Sequence, residues 1–575
     1  MNSPTYKPLL PLVHDYLEKW AEETPDKEAL IQHENGWIVN YRQLNEIVDL
    51  YVLCLLKMGI QKGERVAVMG LQSIQYVALQ YACFKIGAII CPLDIKLKPH
   101  ETVRALNKIT PILFILGGTT HLKDFYEVGK AVLGECPYVK NVLQYNLIED
   151  GNSEWPLLEG AKSANKLFDL EVLKNLVKDE QLLRHRQEVY AEIKEDDPAL
   201  IIFTTGTTGE PKPALLQHSC IVAEMEIFFR ASTMPGPELR RVCVLPCSHV
   251  GGTTITIYTT IYAGGTNILL HRFNPVLTLE AIAKWRGNFL GAVPTMYRMI
   301  WALPNYKSYD LSSMHCAYYA GSMVDKNFLE ELSKMAPNFG TSLGMTECGG
   351  VSTYTPMPLT VEEMFGQVGR AAEDVAKISI RRPMDSGGKA GEELSDGEIG
   401  EICYHPPLVF LGYFNQPEAT AQTVSKEGIL YSGDIGYFKD MVDYKALMYM
   451  GRSKYLIKQK GYNVFPDEVA AHISMISGVA EAEVLGVKHS LFDEGVFAFI
   501  LPKAGMEVKV EEVIKHCKGL AAYKRPQHVE VLAEGQGFPL TNNGKVDKNA
   551  LGKMAEEIVK KLREQGKWDS ICSNV

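Results

Sequence analysis

Residues 204–212 read TTGTTGEPK and follow directly on the apolar run Leu200-Ile201-Ile202-Phe203. Four threonines, two glycines and one lysine stand within nine residues. A buried strand that opens into such a loop has the makings of a phosphate grip. Glycines let the backbone turn so that its N–H groups face anionic oxygens. Threonine hydroxyls add donors, and Lys212 adds a mobile point charge. No glycine-lysine-serine/threonine step closes the loop, so it is not a Walker A sequence. Taken alone, the stretch also reads as a solvated turn, and its neighbours decide between the two.

Upstream of the loop, helical and strand patterns alternate. Leu44, Ile47, Val48, Tyr51, Val52, Leu55 and Leu56 line one face of a helix predicted over 41–58. The strand-like Val66-Ala67-Val68-Met69 follows, then a second helical stretch over 74–86 and the strand Ala88-Ile89-Ile90-Cys91. This alternation predicts a parallel sheet covered by helices on both faces, an α/β architecture. Residues 149–195 are charged and weakly patterned, and the spacing predicts one helix over 169–192.

Downstream, four polar or glycine-rich stretches each end a predicted strand: Leu245-Pro246-Cys247-Ser248-His249, Gly291-Ala292-Val293-Pro294, Tyr318-Tyr319-Ala320-Gly321-Ser322 and Gly344-Met345-Thr346-Glu347. In open α/β sheets ligands gather where strands end in loops. Short strands and turns over about 370–450 predict a small β-rich subdomain. Gly451-Arg452-Ser453-Lys454 reads as a joint. Beyond it, strands at 481–487 and 496–501 with a helix at 510–517 predict a separate lobe.

Composition narrows the function. The chain has 575 residues, 46% hydrophobic and 22% charged, enough for large cores. Its net charge of −10 argues against a nucleic-acid binder, which needs a basic face. Twelve cysteines are scattered without a CxxC pair, as in a reducing compartment. Cys243, Cys247 and His249 lie close in sequence, but no second pair completes a zinc site. Residues 242–270 carry no Asp, Glu, Lys or Arg, yet their threonines and glycines fit a buried core better than a membrane span. The first twenty residues lack a signal-peptide layout. The expected location is the cytoplasm.

With these pieces in place, the chain resembles the adenylate-forming superfamily of acyl-CoA synthetases, luciferases and peptide-synthetase adenylation domains. The likeness runs over about residues 24–551. TTGTTGEPK resembles the family's phosphate loop, Leu343-Gly344-Met345-Thr346-Glu347 its second signature, and Tyr431-Ser432-Gly433-Asp434 its ribose-binding one. Gly451-Arg452-Ser453-Lys454, Lys460-Gly461-Tyr462 and Gly544-Lys545 follow in the family's order. Three positions depart from the pattern. Pro213 stands where glycine is usual, Leu343 where an aromatic stacks on adenine, and Tyr455 where an acid follows the hinge residue.

The resemblance implies an α/β fold: a large N-terminal domain (1–453) of two helix-flanked sheets with the β-rich subdomain, and a small mobile α+β lobe (454–575). It implies ATP, Mg²⁺ and CoA as co-substrates of a carboxylic acid. By resemblance, Thr204, Thr205, Gly206, Thr207, Thr208, Gly209 and Lys212 hold the β and γ phosphates. Thr346 contacts the α-phosphate and Glu347 holds the metal. Gly321, Ser322 and Leu343 lie along the adenine, while Asp434 and Arg452 bind the ribose. Lys545 bridges the carboxylate and the α-phosphate. His249, Gly252, Thr253, Ala320 and Gly344 form the acyl pocket, Lys454 is the hinge, and Gly461 lies by the CoA tunnel. The uncharged stretch after His249 favours an apolar acyl group. An enzyme loading a carrier-protein thiol and a non-catalytic nucleotide sensor are the alternative readings; the joint presence of Lys212, Thr346, Glu347, Asp434 and Lys545 argues against the sensor.

Overall fold

The computed structural model describes residues 6–118, 124–146, 156–204, 211–533, 535–540 and 546–569. Two large sheets dominate. The first contains seven strands, six of them parallel neighbours: Asn338–Ser342, Cys316–Ala320, Phe289–Ala292, Arg240–Cys243, Thr266–Leu269 and Glu28–Gln32, with antiparallel Ile38–Asn40 at the edge. The second contains eight strands. Its parallel part includes Arg65–Met69, Ile89–Pro92 and Leu113–Gly117, and it continues through Pro198–Thr204 into an antiparallel edge of Lys212–Gln217 and Gly412–Tyr413.

Helices Ile74–Lys85 and His218–Phe229 are buried almost all round. A helix apolar on every side has to lie inside the protein. One continuous core joins Val66, Ile90 and Leu200 of the second sheet to Leu30, Cys243 and Leu269 of the first, through Phe84, Ile221 and Met225 of these helices. Each such side chain contributes about 1.5–3 kcal/mol by leaving water. The predicted helix over 41–58 forms as Tyr41–Lys57, capped by Asn40, whose side chain accepts from the Gln43 N–H.

The uncharged stretch 242–270 lies in this interior, as expected, although it is not one regular element. Strand Arg240–Cys243 leads through a turn into a π-helical segment, Thr253–Tyr258, and a short α-helix, Thr259–Tyr262. Among the described residues no helix is long and apolar enough to cross a membrane. The helix expected over 169–192 needs correction. The chain instead forms Leu170–Leu173, a 3₁₀ segment Lys174–Lys178, and Glu180–Ala191. Asp179 breaks it, because its carboxylate accepts from the Leu182 N–H and caps a fresh helix.

The β-rich part is a four-stranded antiparallel sheet of Ile378–Arg381, Gly400–Tyr404, Leu430–Asp440 and Lys445–Arg452. After the 3₁₀ turn Ser453–Tyr455, strand Ile457–Gln459 enters a five-stranded sheet with Tyr462–Val464, Val479–His489, Asp493–Pro502 and His528–Val531. That sheet has its own two cores, against helices Pro466–Ile473 and Val510–Cys517 on one face and Lys548–Glu564 on the other.

Candidate active site

The described ends of the phosphate-loop stretch belong to two paired strands. Strand Pro198–Thr204 pairs antiparallel with Lys212–Gln217, and Thr204 stands opposite Lys212. Thr205, Gly206, Thr207, Thr208 and Gly209 lie outside the described residues. Both feet of the loop are fixed. Lys108 Nζ donates to the Pro211 carbonyl at 2.8 Å. Pro213 stands opposite Phe203, and its carbonyl accepts from the Phe414 N–H at 2.8 Å. Proline at this edge therefore keeps its one remaining backbone function.

Lys212 projects over the ring of Tyr413, with Nζ 4.9 Å from the centroid. The Tyr413 hydroxyl donates to Glu347 Oε1 at 2.6 Å. Burial, reinforced by the Glu347 charge, pushes the Tyr413 phenol well above its ordinary range, so it remains a donor. Strand Gly412–Tyr413 pairs with the loop's own hairpin, and the Phe410 N–H donates to the Glu347 carbonyl at 3.0 Å. One short segment thus ties the phosphate-loop strand to the second signature. Tyr413 was not singled out from the sequence; its only local signal is an aromatic after Gly412 in a turn.

Thr346 and Glu347 open a short 3₁₀ turn, Thr346–Cys348, and both are buried. The glycines around it serve close approach. A Cβ on Gly344 would collide with the Gly350 carbonyl, and Gly349 has φ +86. Parallel register places Ala320 beside Ser342, so Gly321-Ser322 and Leu343-Gly344 leave neighbouring strand ends. Leu343 is held by its backbone: its N–H donates to Thr353 Oγ1, and its carbonyl accepts from the Ser352 N–H, each at 2.8 Å.

His249 lies beyond the end of strand Arg240–Cys243, in the same row of strand ends. Its Nδ1 accepts from the Gly251 N–H at 2.9 Å, which puts the proton of the neutral ring on Nε2. Its carbonyl accepts from the N–H groups of Gly252 and Thr253 and from Thr253 Oγ1. A side chain on Gly252 would strike the carbonyls of Leu245 and Pro246. The π-helical turn that begins at Thr253 is a form often found at functional sites.

Asp434 is 2% exposed and faces Arg452 across the antiparallel ladder, with Arg452 Nε 2.8 Å from Asp434 Oδ1. Burial alone would lower the Arg452 guanidinium, but Asp434, then Tyr449 and Glu347, hold it above its ordinary value. Ser432 Oγ, bonded to the Ile402 carbonyl at 2.6 Å, accepts from the Asp434 N–H at 3.0 Å and fixes the strand's irregularity at Gly433.

The small lobe contributes less to this cluster. Lys545 lies outside the described residues. Three positions later Lys548 is anchored, 3.0 Å from Asp467 and 3.4 Å from Glu483. Lys454 Nζ lies 4.4 Å from the Tyr455 ring centroid and Lys548 Nζ 5.4 Å from it, so Tyr455 serves two cations as a π surface. Gly461 is exposed at the tip of the hairpin Ile457–Gln459/Tyr462–Val464.

The phosphate-loop lysine and a buried Thr-Glu pair stand at strand ends of the large sheets, an Asp–Arg pair spans the β-rich sheet, and comparison with known families agrees with that arrangement. Residues 17–414 match the AMP-binding enzyme family, and residues 468–545 match the AMP-binding enzyme C-terminal domain. The chain is an AMP-binding enzyme. Over 95% of its length it is 28% identical to the mitochondrial medium-chain acyl-CoA ligase ACSF2 of Rattus norvegicus, covering 88% of that protein. In fold it is similar to the anthranilate CoA ligase AuaEII in complex with anthranoyl-AMP (TM-score 0.78, 20% identity, 97% of this chain and 99% of that one). It is likewise similar to ATP-bound MatB from Rhodopseudomonas palustris (TM-score 0.75, 23% identity, 95% and 99%).

The donor set of this AMP-binding enzyme fits Mg²⁺. Among the described residues no three His, Cys, Asp or Glu side chains cluster as a dedicated metal cage. Glu347 offers a buried hard-oxygen ligand on the same ring as the phosphate-loop lysine. Mg²⁺ characteristically takes one or two carboxylates and completes its shell with phosphate oxygens and water.

Proposed function

We propose that this AMP-binding enzyme is an AMP-forming acid–CoA ligase acting on a carboxylic acid with a mainly apolar body. Its reaction has two halves. A carboxylate oxygen attacks the α-phosphorus of ATP and pyrophosphate leaves, giving acyl-AMP. The CoA thiol then attacks the acyl carbon, the thioester forms, and the bond to AMP breaks.

The observation that carries this reading is the array Lys212–Tyr413–Glu347, with Nζ 4.9 Å above the ring and the phenol 2.6 Å from the carboxylate. It sets a mobile cation for the leaving pyrophosphate over an aromatic ring and a metal-holding carboxylate at that ring's hydroxyl. When bound, Mg²⁺ neutralises phosphate charge at Glu347. Thr346 contacts the α-phosphate, and Thr204 with the loop residues Thr205–Gly209 cradles the β and γ phosphates. Asp434 accepts from the ribose hydroxyls while Arg452 holds its carboxylate in place. Gly321, Ser322 and Leu343 border the adenine. His249 orients the acid at the mouth of a pocket shaped by Gly252, Thr253, Ala320 and Gly344.

Lys545 brings the acid's carboxylate to the α-phosphate, carried by the lobe over 454–575. The lobe then turns about Lys454, so that Lys545 withdraws and the Gly461 face reaches the site. Such a rotation is a hinge-type switch. The name of ACSF2 supports a medium-chain acid for that relative, and an apolar pocket here is in keeping with it. The eleven described cysteines are buried free thiols, which supports a reducing compartment, the cytoplasm.

The test is ATP–pyrophosphate exchange over a panel of aliphatic, alicyclic and aromatic acids, with thioester formation followed on addition of free CoA. The expected result is exchange with at least one acid and CoA-dependent release of AMP. Lys545→Ala should lower exchange by about 10²–10³, the usual effect of losing one transition-state donor. Undiminished exchange in that variant would refute the role of Lys545. Acyl transfer to a carrier protein but not to CoA would favour the carrier-loading alternative.

A further inference from the structure

Two ionisable side chains are buried next to the residues proposed for the acyl pocket, and the chemistry above uses neither. Glu224 lies within helix His218–Phe229 and is fully buried. Its Oε1 accepts a long bond, 3.4 Å, from the Val351 N–H, and among the described residues its Oε2 has no partner. Arg241, 1% exposed, comes from strand Arg240–Cys243. Its guanidinium lies between the rings of Phe228 and Phe289, 4.8 and 4.3 Å from their centroids. Nη1 donates to the Ile255 carbonyl at 2.7 Å, while Nε and Nη2 have no partner among the described residues.

Buried polar atoms without partners are costly, and native interiors contain few of them. Their position here suggests what satisfies them. A Cβ at Gly350 would stand 2.9 Å from Glu224 Oε1 and 3.0 Å from Thr254 Oγ1. Thr254 directly follows the pocket residue Thr253, and the Gly350 carbonyl closes on the pocket residue Gly344. Glu224 therefore packs beside Gly350 and Thr254, which adjoin the two proposed walls, and Arg241 bonds the carbonyl of Ile255, the residue after Thr254. Burial raises the Glu224 carboxyl well above the usual carboxylate range, only partly opposed by the Val351 N–H and Arg241. As a neutral acid it offers one donor and acceptor oxygens.

We propose that Glu224, backed by Arg241, sets the substrate class: the acid has an apolar body and a hydroxyl or carbonyl group at the end remote from its carboxylate. This rests on the acyl-pocket reading above. The hydrocarbon would pass between the walls around Thr253 and Gly344, and the distal oxygen would meet the unused hydrogen-bonding groups of Glu224 and Arg241. Sites built to hydrogen-bond a substrate hydroxyl reject analogues that lack it far more strongly than an apolar pocket sorts chain length.

The experiment compares kcat/KM, from ATP-dependent pyrophosphate release, for straight-chain acids and their ω-hydroxy counterparts of matched length. In the wild type at least one hydroxy acid should exceed its plain partner by about tenfold or more. Glu224→Leu should bring that ratio to one or below, and Glu224→Gln should retain most of it. Each ratio is taken within one protein, so a loss of folded material does not move it. A wild type that prefers the plain acid at every length overturns the proposal without touching the ligase reading. An unchanged ratio in Glu224→Leu overturns it as well. No turnover with any acid of either series overturns it too, while the ligase reading is then decided by the alicyclic and aromatic acids of the exchange panel.

Discussion

Tyr413 does two things at once, and its substitution can separate them. Its ring lies under Lys212 and its hydroxyl holds Glu347. Tyr413→Phe keeps the ring and removes the donor. Groups that orient a metal ligand from behind are typically worth 10–100-fold in metal affinity. The Mg²⁺ concentration giving half-maximal pyrophosphate exchange should therefore rise by about tenfold or more, with the KM for ATP at saturating Mg²⁺ little changed. An unshifted Mg²⁺ requirement would show that the bond only packs the loop. None of this could be read from the sequence. Glu347 and Tyr413 are 66 positions apart, and only the pairing of Gly412–Tyr413 with Lys212–Gln217 brings them together. Glu224 and Arg241 escaped for a related reason: one stands two residues before Glu226 in a helix and the other follows Arg240 at a strand's start, where charged residues are usually surface-facing.

Among elements, those with strong periodicity were the readable ones. Helix Val510–Cys517 and strand Arg65–Met69 fall where the apolar pattern puts them, because burial of one face dictates both pattern and structure. The helix expected over 169–192 failed because its charged residues set no face, leaving Asp179 free to restart the chain. Helix Asp15–Glu23 shows a further constraint that sequence conceals. His14, at its start, is fully buried against His218 at the start of helix His218–Phe229, with ring centroids 5.7 Å apart, and the Val13 N–H donates to His218 Nδ1 at 3.4 Å. Burial lowers His218 to about 4, with Asp197 opposing and Lys62 assisting, and burial, His218 and Lys85 lower His14 well below its ordinary value. In the unfolded chain these rings take up protons near pH 6.5, whereas in the folded chain they do not. Stability should therefore fall as pH drops from about 6.5 to about 4, by about 3 kcal/mol for His218 alone. Asp15 nearby, raised to about 6 chiefly by burial, acts in the opposite sense over part of this window. Melting temperatures across that range should decline, with a shallower slope in His218→Gln; parallel slopes would exclude His218 as a source.

At the scale of the whole molecule, the question is how a second active face can be kept ready while the first is in use. Arg298 on helix Pro294–Trp301 reaches Glu481 of strand Val479–His489 at 3.2 Å, an ion pair between the large domain and the small lobe. Partly exposed pairs of this kind contribute about 0–1 kcal/mol, weak enough not to oppose the proposed rotation of the lobe. In the arrangement seen, Gly461 faces open space: a Cβ there would meet nothing within 4 Å. Its demand is conformational, since Lys460 and Gly461 have φ +52 and +79 and close a two-residue hairpin turn. Gly461→Leu should thus cost only local strain of about 1 kcal/mol and leave pyrophosphate exchange within about twofold of wild type, since that strain is present alike in the ground state and the transition state of adenylation. Thioester formation is different under the proposed rotation, which brings this hairpin to the thiol's approach, where the added side chain would obstruct. Acyl-CoA production should fall by about 10², the size of effect that follows from displacing reacting groups by roughly 1 Å. Gly461→Asn separates the causes, because asparagine tolerates positive φ and relieves the strain but still fills space. If Asn restores thioester formation fully, backbone strain explains the defect. If both variants lose the second half-reaction and keep the first, the obstruction belongs to the rotated lobe alone.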